Sequence, residues 1–141
     1  MKYALLSVYD KKGISDFAKV LEKNDYKIIS TGGTYEELKK NGVDVVPIEE
    51  ITGNPRDSFD GRMKTISFQA EGGILFDRTN PSHVDQAKAL GIKSIDIVVC
   101  NLYPFERTVA NPDVALDDAV ENIDVGVPQW CGPQQKTSRT Y

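Results

Sequence analysis

Histidine is nearly absent from this 141-residue chain, where His83 stands alone. Cysteine is almost as scarce, with only Cys100 and Cys131. One imidazole and two thiols far apart in sequence make neither a zinc site nor a disulfide framework. Cys100 ends an apolar run and reads as a buried core thiol. An excess of positive charge is missing too. Lys and Arg total 17 against 21 Asp and Glu, a net charge of −4 with no basic stripe, so a nucleic-acid partner is not expected. No apolar run approaches the roughly 20 residues of a membrane span. At the N-terminus Asp10, Lys11 and Lys12 interrupt the apolar stretch before a signal-peptide core forms. A cytoplasmic protein is expected. No internal repeat and no low-complexity segment is visible. What remains is 40% hydrophobic and 27% charged, the balance of one soluble domain with a moderate core.

Short apolar runs alternate with helical patterns. Residues 3–8 (YALLSV) form a continuous apolar run, the mark of a strand covered on both faces. Ile14, Phe17, Ala18 and Leu21 then recur at helical spacing. Residues 26–30 and 43–48 read as further strands, with a helix over 34–42 stopped at Asn41-Gly42. Residues 49–65 are polar and broken by Gly and Pro, as in a long functional loop. Residues 72–76 (GGILF) are a short strand candidate, and 81–91 a helix with Val84, Ala87 and Leu90 on one face. Residues 94–103 are the strongest central strand, and 116–124 another helix. From Cys131 onward the chain has no apolar periodicity and reads as coil. This alternation predicts an α/β domain with a mostly parallel sheet.

Ligands of such sheets bind beyond the carboxyl ends of the strands. Four stretches stand there. In "STGGT", Gly32 and Gly33 let a ligand approach the backbone, and Thr31 and Thr34 offer hydroxyl donors at a helix N-terminus, a setting for phosphate or carboxylate. The same residues fit a helix start capped by Thr34 with Glu37 closing a capping box, and both readings can hold. In "DGRMKT", Arg62 and Lys64 suit an anion, or belong to a solvated basic loop. In "NLYPF", Asn101 and Tyr103 follow the central strand, where Pro104 alone could explain its end. In "NIDVG", Asp124 is a turn residue or an orienting carboxylate.

With "LLSVYDKKGI", "GGIL" and "NLYPFERTVA", these stretches resemble the IMP cyclohydrolase domain of the bifunctional purine-biosynthesis enzyme that also carries AICAR transformylase. They follow the family's order from about residue 3 to residue 126. The resemblance implies the methylglyoxal-synthase-like fold: α/β, three-layered, with a mostly parallel central sheet flanked by helices. Residues 1–126 are expected to form it and 127–141 a divergent, poorly ordered tail. The implied reaction closes FAICAR to IMP with loss of water and needs no metal and no cofactor. By resemblance, Ser7, Lys11, Thr31, Gly32, Gly33 and Thr34 would hold the nucleotide's phosphate. Arg62, Lys64 and Thr65 would face the substrate, with Lys64 as a catalytic cation. Asn101, Tyr103, Asp124, Val125 and Gly126 would line the reacting heterocycle, Asp124 orienting or deprotonating the amide and Tyr103 assisting proton transfer. Lys136 falls where the family carries another catalytic-site lysine.

Two segments depart from the family pattern. Ser67, Phe68 and Glu71 replace a histidine, a proline and a second histidine, and a helix-forming run becomes "CGPQQ", where Gly132-Pro133 is expected to break the helix. Turnover impaired by the changes at 67–71 and 127–135 would leave a purine-nucleotide-binding module of the same fold. A methylglyoxal synthase proper is disfavoured, since His83 lies away from every motif. The resemblance also implies a homodimer and a C-terminal transformylase domain that the 141 residues do not contain.

Overall fold

The computed structural model of the chain describes residues 1–56 and 58–137, with side chains as far as residue 132 in the last helix. Among these residues, the strands β1 (Lys2–Ser7), β2 (Tyr26–Ser30), β3 (Val45–Pro47) and β4 (Ile95–Cys100) pair in the order β3-β2-β1-β4. Every pairing is parallel. A parallel pair needs a crossover rather than a hairpin, and helices supply it. They are α1 (Ile14–Lys23), α2 (Gly32–Lys40), α3 (Glu49–Thr52), α4 (Phe68–Leu75), α5 (Pro81–Ala89), α6 (Phe105–Val109), α7 (Leu116–Glu121) and α8 (Gly126–Thr137). None is long and apolar enough to cross a membrane.

The two-residue period of a strand sorts the core into two layers. Ala4, Leu6 and Ile28 point to one face of the sheet and pack with Ile14, Ala18 and Leu21 of α1 and Leu38 of α2. Leu5 and Ile29, their immediate neighbours in sequence, point to the other face. There they meet Ile51 of α3, Ile74 of α4, and Val127 and Trp130 of α8. Leu5, Leu6, Ile28 and Ile29 are all fully buried, so the sheet is covered on both sides, as the continuous apolar runs require. The result is the expected three-layer arrangement.

Several local expectations are corrected. Residues 72–76 form no strand but end α4. The Ser67 hydroxyl accepts the Ala70 N–H at 3.0 Å, and Glu71 Oε2 accepts the Ser67 N–H at 2.9 Å. This reciprocal cap starts a helix before two glycines. Gly73 then lets α4 press on the backbone, since a Cβ there would lie 2.4 Å from the Lys93 carbonyl oxygen. The coil expected from Cys131 is helical as far as Thr137, and residues 138–141 lie outside the described residues. Gly132 and Pro133 fail to break α8 because tertiary burial outweighs them: Trp130, one turn earlier, is 1% exposed. Burying such a side chain is worth about 3–5 kcal/mol, enough to offset the ~3 kcal/mol of an interior proline. Of the apolar face expected on α5, Ala87 is buried but Leu90 is largely exposed. Helix α2 begins at Gly32 with Thr31, not Thr34, at its N-cap position. Glu37 bonds Asn41 Nδ2 at 2.9 Å instead of closing a capping box.

Candidate functional site

The carboxyl ends of β1, β2 and β4 open onto one cleft of about 480 Å3. β1 delivers Ser7, and the turn after it Lys11. β2 runs directly into Thr31, Gly32, Gly33 and Thr34. The loop after α3 brings Arg62, Lys64 and Thr65. β4 ends just before Asn101 and Tyr103, and the turn from α7 into α8 adds Asp124, Val125 and Gly126. Fourteen of the fifteen residues singled out in the sequence therefore share one space. The fifteenth, Lys136, sits on the backbone of α8, and its side chain lies outside the described residues.

The cleft lies over the N-terminus of α2. Gly32 has φ +44, and a Cβ there would stand 3.4 Å from Lys64 Nζ. At Gly33 a Cβ would stand 3.3 Å from Lys11 Cε and 3.6 Å from Lys11 Nζ. Two ammonium groups thus hang over bare backbone at the positive end of a nine-residue helix. Such a turn offers free N–H groups, and the two cations add the charge that draws an anion. Ser7 Oγ and Thr31 Oγ1 share a hydrogen bond of 2.8 Å beside it.

Not every predicted contact is free to serve a ligand. The Thr34 hydroxyl donates to the Val8 carbonyl at 2.9 Å and accepts the Val8 N–H at 3.0 Å. Its one proton is committed, so it joins β1 to α2 rather than offering a donor as expected. Asn101 Oδ1 accepts the N–H groups of Tyr9 (2.5 Å) and Asp10 (3.1 Å), while its Nδ2 donates to the Asp10 carbonyl. Asn101 braces the turn that carries Lys11. It does so while still lining the cleft.

Tyr103 and Asp124 also line the cleft. The Tyr103 ring meets Tyr9 edge-to-face at 5.3 Å. Asp124 Oδ1 accepts the Val127 N–H at 3.0 Å, which starts α8 and leaves the second carboxylate oxygen for other work. Gly126 packs against Thr65, whose Oγ1 would lie 2.7 Å from any Cβ at that position. Arg62 forms an ion pair with Glu121 of α7 across the mouth.

Sequence reasoning missed Tyr9, Glu121 and Trp130, which also line the cleft. A negative residue such as Glu121 in a short amphipathic helix gives no signal of a partner 59 residues away. Trp130 lies close to the stretch that reads as coil. The divergent residues Ser67 and Glu71 do not line the cleft; they cap α4. The two cysteines, far apart in sequence, are also brought together, with their sulfurs 3.6 Å apart. Cys100 is half-buried rather than a sealed core thiol. Burial first, and then the hydrogen bond to Cys131, push its pKa up to about 11.

Known proteins share this arrangement. A solved structure, "Crystal structure of ForH", superposes with a TM-score of 0.83 at 31% identity, covering 99% of this chain and 70% of that one. The bifunctional purine biosynthesis protein PurH of Macrococcus caseolyticus is 48% identical over 139 residues. PurH of Bacillus cereus is 50% identical over 127 residues, and that of Clostridium botulinum 53% over 128. These matches take in 99%, 90% and 91% of this chain, yet only 28%, 25% and 25% of the relatives. The chain thus spans about a quarter of the length of the curated relatives it matches. The family description "MGS-like domain" fits residues 13–129. That span holds all of the cleft but Ser7, Val8, Tyr9, Lys11 and Trp130, and on it the chain belongs to the MGS-like domain family.

Proposed function

We propose that the chain is an IMP cyclohydrolase-type unit of purine biosynthesis, closing FAICAR to IMP with loss of water. The observation that carries this reading is the Gly32-Gly33 turn at the N-terminus of α2, with the Lys11 ammonium over Gly33 and the Lys64 ammonium beside it over Gly32. A helix N-terminus with Lys11 at hand fits a phosphomonoester better than a neutral group, and it leaves Lys64 to face the reacting part of the substrate. The similarity to PurH supplies the purine class.

The chemistry then follows the cleft outward from the phosphate. Binding the phosphate at one end holds a flexible substrate with its carboxamide and formyl groups near Tyr103 and Asp124. The carboxamide nitrogen attacks the formyl carbon, and a nitrogen–carbon bond forms as the carbonyl π pair moves to oxygen. The free oxygen of Asp124 orients the amide and takes its proton. The developing oxyanion is stabilised by the Lys64 ammonium and receives a proton through Tyr103. Loss of the second nitrogen proton and of the hydroxyl as water gives the aromatic ring. Lys136 joins these groups in the proposal, by resemblance alone. The transformylase function of the relatives is placed on the part that this chain does not match, and a homodimer in the cytoplasm completes the reading.

The test mixes purified protein with FAICAR and follows IMP absorbance, beside calorimetric titration with IMP. Lys64→Ala is expected to lower kcat by about 100-fold or more while circular dichroism stays unchanged. Parent-like turnover by that variant would remove Lys64 from the mechanism. Binding without turnover by the parent would identify the nucleotide-binding module instead, and the absence of both would reject either reading.

A further inference from the structure

We propose that Cys100 and Cys131 form a reversible dithiol–disulfide couple that clamps α8 to the end of β4. The two residues lie 31 apart in sequence and on different elements, yet their sulfurs are 3.6 Å apart. A disulfide has a sulfur–sulfur bond of about 2.05 Å, so the pair must close by roughly 1.5 Å, within reach of side-chain rotation. Both cysteines are half-buried. They are sheltered from bulk solvent without being sealed from a small oxidant.

The position gives the bond a consequence. Cys100 is the last residue of β4 and precedes Asn101, which braces the Lys11 turn. Cys131 follows Trp130, which seats α8 in the core and lines the cleft. Gly126, at the start of the same helix, packs on Thr65. A covalent link would therefore fix one wall of the cleft to the sheet.

The chemistry is thiol–disulfide exchange with a small-molecule disulfide. The thiolate of one cysteine attacks one sulfur of the oxidant, forming a mixed disulfide and releasing one small thiol. The other protein thiol, losing its proton, then attacks the protein sulfur of that mixed disulfide and expels the second small thiol. Two protein thiols are oxidised to one disulfide, and the oxidant is reduced to two thiols.

The test uses the full chain, reduced with dithiothreitol and then incubated with excess oxidised glutathione. The expected product is monomeric on a non-reducing gel, lacks the mass of two hydrogen atoms, carries no glutathione and has no free thiol. Its Tm is expected to rise by about 10 °C, because the link closes a long loop in the unfolded chain. Dithiothreitol should reverse the shift. Cys100→Ser and Cys131→Ser should each abolish it and carry glutathione on the remaining thiol. Two free thiols after oxidation, two stable glutathione adducts, a crosslinked dimer, or a disulfide without a rise in Tm would each overturn the proposal. All four of these results are read on the parent chain, so the test does not depend on the folding of the serine variants. Neither does it depend on FAICAR turnover.

Discussion

At the scale of single residues, the site divides by whether a polar group is already committed. Lys64 reaches over open backbone, and Lys11 does so while giving one of its three ammonium protons to the Tyr9 carbonyl at 3.1 Å, whereas Thr34 and Asn101 spend their hydrogen bonds on the protein. Replacing residues of the two kinds should therefore have opposite signatures. Thr34→Val keeps the shape but leaves the Val8 N–H and carbonyl without partners in a buried place. A stability loss of about 2 kcal/mol is expected in urea unfolding. A Thr34→Val protein as stable as the parent would show that this hydroxyl does not join β1 to α2. Lys64→Ala should leave the unfolding midpoint nearly unchanged, since among the described residues its ammonium makes no bond that the fold relies on.

At the scale of elements, the two misread segments share a cause. α4 contains Gly72 and Gly73, and α8 contains Gly132, Pro128 and Pro133, all poor helix formers. Local propensity argues for strand or coil in both. The helices form because they pack on each other and on the sheet through Ile74, Val127 and Trp130. Gly73 is the closest point of that packing. Gly73→Ala places a Cβ 2.4 Å from the Lys93 carbonyl, where backbone must move. This substitution normally favours a helix, yet here it should destabilise by about 1–3 kcal/mol, read as a lower Tm. A raised Tm would mean that α4 does not sit against the Lys93 backbone.

At the scale of the whole molecule, the cleft exists only because a parallel sheet aligns all its carboxyl ends on one side. Ligand binding should therefore stabilise the entire domain. IMP at 100 times its Kd is expected to add about 2.7 kcal/mol, seen as a higher Tm. At a fixed IMP concentration the effect should shrink as salt rises, because the attraction at the half-buried but solvent-reached ammonium groups is partly screened. Lys11→Ala should lose much of both the shift and its salt dependence. An IMP-induced shift insensitive to salt and to Lys11 would place the anion elsewhere.

The sequence by itself determined the alternation of buried strands and amphipathic helices. It also determined the order of the motifs at the strand ends, because apolar periodicity and Gly-rich turns are local properties of the chain. The four parallel strands and the Gly-rich turn were legible for that reason, while Ser7, Lys11, Thr65, Val125 and Gly126 were reached only through the family resemblance. Only the tertiary structure decided that α4 and α8 are helices, that Thr34 and Asn101 serve the scaffold, and that Cys100 meets Cys131. Each depends on partners distant in sequence, and the free energy of such contacts outweighs the local preferences that a linear reading can see.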